Sequence, residues 1–103
     1  MSCYFIVQVV CRDREKRALY DEYIQMVKPI VERYGGTYLI RSEEVAVLDS
    51  AKKPDRIILI RFPNRKQLDT CFHAPEYLKI CNLRASSVES HAMIVEGIEH
   101  EAM

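Results

Sequence analysis

The sequence predicts an α+β domain whose elements run strand, helix, strand, strand, helix, strand, folding into one four-stranded antiparallel sheet. Three observations predict it. Runs rich in β-branched and aromatic residues occur at Tyr4–Cys11, Arg56–Phe62 and His91–Ile98. A long segment after the first run repeats apolar residues at helical steps. A second helical segment, opened by Asn64, lies between the third and fourth strands.

At 103 residues the chain has room for one domain, as folded domains run from ~50 to ~200 residues. We expect that domain to span residues 1–98, with Glu99–Met103 as a frayed tail. Fifteen Lys and Arg balance fifteen Asp and Glu, and the signs alternate along Arg12–Arg17. Nucleic acid, which requires a positive stripe, is therefore not an expected partner. The four cysteines form no C-x-x-C pair, which suits a reducing cytoplasm. The apolar run Tyr4–Val10 is far shorter than the ~20 residues a membrane helix needs, so no membrane association is expected.

Tyr4–Cys11 is apolar at both parities and reads as a strand covered on both faces. Asp13 is a candidate N-cap for the helix that follows, whose inner positions are Leu19, Tyr20, Tyr23, Ile24, Val27, Ile30, Val31 and Tyr34. Pro29 should kink or restart this helix near Lys28, and Gly35-Gly36 should end it. Thr37–Ser42 and Glu44–Leu48 alternate as strands, or as one long strand bulged near Glu43. Asp49–Asp55 is a loop by composition, and Arg56–Phe62 a central strand stopped by Pro63.

Asn64 with Gln67 begins a short helix whose buried side is Leu68, Cys71 and Phe72. Pro75 suits the first turn of a further helix running to about Arg84. Its inner positions are either Leu78 and Cys81, or Tyr77, Cys81 and Arg84. A Ser86-Ser87 loop leads to the last strand.

Two crossovers of one hand put both helices on the same face of such a sheet. On the third strand Ile57 and Leu59 point one way, and Ile58, Ile60 and Phe62 the other; on the first, Ile6 and Val10 oppose Phe5, Val7 and Val9. Helices cover only one set. The open face predicts a homodimer, with a curled sheet or the tail covering that face as the alternative.

Tyr34–Arg41, Phe62-Pro63-Asn64, Phe72–Tyr77 and Val95-Glu96-Gly97, in this element order, resemble the uncharacterised family catalogued as domain of unknown function 1330. The likeness spans about Tyr4 to Ile98. It implies the ferredoxin-like βαββαβ fold of the dimeric α/β-barrel superfamily, which includes cofactor-free monooxygenases, haem-degrading enzymes, isomerases and decarboxylases. Asp49-Ser50, Cys71-Phe72 and Ala74 depart from the family's usual pattern. A haem ligand role for His73 is a superfamily analogy, with no supporting motif.

His73, at a helix break, is the candidate for acid or base chemistry; the alternative is a solvated histidine at a helix C-terminus. Arg41 and Arg84 could grip an anion, or pair with Glu32, Glu43, Glu44 or Glu89. Tyr38 and Tyr77 could line an aromatic pocket, whereas Tyr20 and Tyr23 sit at core spacing. Glu96 is either a half-exposed edge residue or a carboxylate raised for base work, and His91 is a solvated strand start. No metal cluster, phosphate loop or dinucleotide fingerprint is present, so no cofactor is expected. These residues suggest a small anionic or aromatic ligand, bound by a cofactor-free acid/base or monooxygenase-like enzyme. The alternative is a non-catalytic dimeric binding or scaffold protein.

Overall fold

The computed structural model describes residues 2–49 and 52–97. Its elements are β1 (Ser2–Val10), a 3₁₀ turn (Arg14–Lys16), α1 (Arg17–Arg33), β2 (Thr37–Ser42), β3 (Arg56–Phe62), α2 (Arg65–His73), α3 (Pro75–Leu78), α4 (Cys81–Ala85) and β4 (Glu89–Gly97). The strands form one antiparallel sheet in the order β2-β3-β1-β4. The fold is the ferredoxin-like α+β arrangement. Ile98 and the Glu99–Met103 tail lie outside the described residues. Among the described residues no helix is long and apolar enough to cross a membrane.

Sheet pleat and helix period meet on one side. Cys3, Val7 and Val9 of β1 and Ile58, Ile60 and Phe62 of β3 are buried beneath Tyr20, Tyr23, Val27, Ile30 and Val31 of α1 and Leu68 and Cys71 of α2. The opposite pleat carries Ile6, Ile57 and Leu59, half-buried, and Ile40, Met93 and Val95, exposed. No element of the described chain roofs this open face.

Caps fall where small polar and glycine residues direct them. The Asp13 side chain accepts from the Glu15 amide, capping the 3₁₀ turn that leads into α1. The Asn64 side chain accepts from the Gln67 amide at 2.8 Å and caps α2. At the end of α1, Gly36 N donates to Val31 O and Gly35 N to Glu32 O, a Schellman pair, with Gly35 at φ +88°. A Cβ on Gly36 would lie 2.5 Å from Val31 Cγ1.

Five local expectations are corrected. α1 runs unbroken through Pro29: the proline is exposed near the last turn, where the Gln25 carbonyl it leaves unpaired can meet water. Leu19 of that helix is exposed rather than inner. Glu44–Leu48 forms no strand. Asp55 donates to Val9 O and its carboxylate accepts from Cys11 N, drawing the approach to β3 against the end of β1 and away from that segment. The bulge lies between Tyr38 and Ile40 instead of near Glu43. Finally, the helix expected from Pro75 to Arg84 is two short ones, α3 and α4. The chain breaks where Ile80 turns into the core, with Ile80 N donating to Tyr77 O and Leu83 N to Ile80 O. Tyr77 is thereby the inner residue of α3, and Leu78 is exposed.

Candidate functional site

Between sheet and helices lies a cavity of about 360 Å³. Its floor comes from the helix-side pleat (Phe5, Val7, Ile58, Ile60), its roof from α1, and its far wall from Phe72, Tyr77 and Arg84 on α2, α3 and α4. The aromatic walls interlock: Phe5 and Phe72 lie 4.7 Å apart between ring centroids, and Phe72 meets Tyr77 edge-on at 5.1 Å.

Polar groups gather at the β4 side. Tyr23 and Tyr77 share a buried hydroxyl–hydroxyl hydrogen bond of 3.1 Å. Arg84 lines the same cavity and donates from Nη1 to Ser90 Oγ at 2.8 Å. Burial works against its charge, but the Tyr77 and Tyr23 phenols outweigh it and hold the guanidinium above its ordinary pKa. Among the described residues Arg84 has no carboxylate partner. Burial raises the pKa of Tyr23, reinforced by Tyr77, and burial likewise raises that of Tyr38. Both phenols are hydrogen-bond donors at neutral pH.

The β2 bulge decides where Tyr38 and Arg41 go. Three residues apart on a regular strand, they would point to opposite faces; the shift pairs Tyr38 with Ile60 and Arg41 with Ile58, both on the helix side. Tyr38 lines the cavity. Arg41 instead lines a separate open groove along α1 with Asp21, Lys28 and Glu32. It too has no salt bridge among the described residues, because Glu43 pairs with Arg17 and Arg56, Glu89 with Arg12 and His91, and Glu32 with Lys28.

His73 is exposed at the end of α2, where Nδ1 donates to the Asp69 carbonyl at 2.7 Å, and it is not among the cavity's lining residues. Glu96 and His91 are exposed on β4. The structure thus brings Tyr38, Tyr77 and Arg84 together and leaves Arg41 and His73 apart. Tyr20, Tyr23 and Ser90 are the further polar liners, of which the two tyrosines stand at the spacing expected of core residues. Tyr23 has core spacing and is core; only its partnering with Tyr77 makes it a site residue, and nothing in the sequence signals Ser90. Among the described residues no His, Cys, Asp or Glu lines the cavity, and no group of three or more of them could hold a metal ion.

The family model described as Domain of unknown function (DUF1330) matches residues 2–98. The chain belongs to this family. None of the curated proteins matches this DUF1330 chain. Solved structures do. A protein of unknown function from Rhodopseudomonas palustris aligns with TM-score 0.80 at 15% identity, covering 96% of this chain and 84% of that one. A dimeric ferredoxin-like protein of unknown function from Jannaschia sp. CCS1 also aligns with TM-score 0.80, at 12% identity over 94% of this chain and 100% of that one. SnoaB, a cofactor-independent oxygenase from Streptomyces nogalater, aligns with TM-score 0.70 at 8% identity, over 99% of this chain and 98% of that one. These similarities establish the fold the DUF1330 chain shares with them.

Proposed function

We propose that this protein binds a small, largely apolar anion of aromatic type in the cavity between sheet and helices. Arg84 holds the anionic group, and Tyr23, Tyr77 and Tyr38 offer neutral phenol donors beside it. The observation that carries this is Arg84 itself: a half-buried guanidinium lining an apolar cavity, with a serine and phenols for neighbours and no carboxylate. A charge in such surroundings favours an incoming anion over water. Arg41 is the reserve anchor, on the groove beside α1.

The lining contains no carboxylate, imidazole or thiol to act as a base, which favours a binding protein. If the site is catalytic, the same groups would serve a cofactor-free reaction by holding a ligand that arrives already deprotonated, as an enolate or phenolate. A cofactor-independent oxygenase of the same fold makes that second reading concrete. His73, away from the cavity, has no part in either.

The protein also works as a homodimer through the open sheet face, in our reading. Its exposed Ile40, Met93 and Val95 support this, as does the Jannaschia protein, described as dimeric. Four free thiols fit a cytoplasmic location.

Titration calorimetry with benzoate and 1-naphthoate, against benzamide and 1-naphthamide, tests the ligand class. The acids should bind and the amides bind at least about tenfold more weakly, with Arg84→Met removing the difference. Equal affinity for acid and amide, or an unchanged preference in Arg84→Met, overturns the proposal.

A further inference from the structure

Glu44–Leu48 alternates like a strand yet pairs with nothing, and Leu48 at its end is fully exposed. Its backbone is tethered at the start, where Glu44 N donates to Ser42 Oγ. The Glu44 carboxylate has no partner among the described residues, unlike neighbouring Glu43, which holds Arg17 and Arg56.

At the opposite edge of the sheet is a groove of about 710 Å³, lined by Gln8, Val10, Arg12, Lys52, Pro54, Glu89 and His91. It lies on the open face, at the end where β4 begins. Arg12 and Lys52 outnumber the single acid, Glu89, with which Arg12 and His91 pair, so the groove carries a net positive charge that favours a carboxylate.

The register joins the two features. Ser42 pairs with Ile57, Ile57 with Gln8, and Gln8 with His91, so the last residue of β2 and the groove lie on one row across the open face. Two copies stacked face to face about a twofold axis parallel to the strands exchange left for right and keep the row. Ser42 of one copy then stands over His91 of the other, roughly 10 Å away, the usual spacing of packed sheets. The chain leaving Ser42 is delivered to the partner's groove.

We infer that Glu44–Leu48 of one copy of this chain docks in the Arg12–Lys52–His91 groove of a second copy. It does so twice by symmetry, with Glu44 meeting the basic cluster. The segment lies unpaired in the single chain because its strand partner is on another molecule. The inference rests on the face-to-face homodimer proposed above.

Sedimentation equilibrium of the full chain tests it with four variants. Glu44→Arg and Lys52→Glu, both on exposed residues, should each weaken the dimer by about tenfold, and the double variant should recover most of the loss. Leu59→Arg, in the middle of the open face, should leave monomers. If Leu59→Arg dissociates the dimer while Glu44→Arg and Lys52→Glu stay within about twofold of the parent, the face is right and the docked segment is wrong. If the parent is monomeric throughout, both ideas fall.

Discussion

Gly36 shows how much can rest on one missing atom. It closes the Schellman turn and lets β2 start against α1 and β3, with space for a Cβ already filled by Val31 and Phe62. Gly36→Ala should therefore destabilise by about 1–3 kcal/mol in urea unfolding, because a well-packed neighbour must move. A change inside about 0.5 kcal/mol would mean that Val31 yields freely. Thiols offer a second test. Burial pushes the Cys71 thiol up to about 11, with Glu76 adding to it, and burial raises fully covered Cys3 too. Native alkylation at neutral pH should label half-exposed Cys11 and Cys81 first and reach Cys3 and Cys71 only on unfolding. Early labelling of Cys71 would show that α2 opens. At this scale the sequence announces a residue's type but not its company. Tyr77 and Arg84 were legible as site candidates; the hydroxyl bond between Tyr23 and Tyr77 was not, because helical spacing describes a core tyrosine and a site tyrosine alike.

The elements were mostly legible, and the exceptions have physical causes. Both glycines and the Asn64–Gln67 cap appear where turn chemistry demands them. A proline in a final, exposed turn does not break a helix, and an alternating segment does not make a strand without a partner. α3 was missed as a separate turn because its boundary is set by burial of Ile80, a tertiary event. That turn is held by Glu76, which accepts from the Tyr34 hydroxyl at 2.7 Å and pairs with Arg33, both at the end of α1. The Tyr34 bond first, and Arg33 with it, lower the Glu76 pKa. The sign follows: a carboxyl with a depressed folded pKa adds stability above its unfolded pKa, near 4.3, and loses it as pH falls through the folded value. Parent and Glu76→Gln should therefore differ in urea midpoint at about pH 7 and converge toward about pH 3. A gap that persists in acid would show that Glu76 acts through packing alone. Because Tyr77 follows Glu76, the same variant should weaken aromatic-acid binding at neutral pH while leaving the preference for acid over amide intact.

For the molecule as a whole, alternation along β1 and β3 was enough to foresee a sheet apolar on both sides, because pleat parity follows directly from residue order. The cavity was not foreseeable in size or lining. It is enclosed by side chains of α1 and of the short helices α2–α4, and a bulge in β2 brings Tyr38 to it. The arrangement gives each side of the sheet a separate task, one enclosing a ligand and the other meeting a twin. Ligand affinity should therefore be independent of protein concentration through the dimer transition, since docking on the open face leaves the helix-side cavity unchanged. Affinity that rises with concentration across that range would couple the two sides.

The central claim is that Arg84 is an uncompensated cation waiting for an anion in an apolar room. The most direct measurement is a nuclear magnetic resonance titration following the Arg84 side-chain Nε–Hε signal as 1-naphthoate is added. The Arg84 signal should shift and saturate together with the Tyr77 ring resonances, while that of Arg41 stays still. Saturable binding that moves Arg41 and leaves Arg84 unchanged would contradict it.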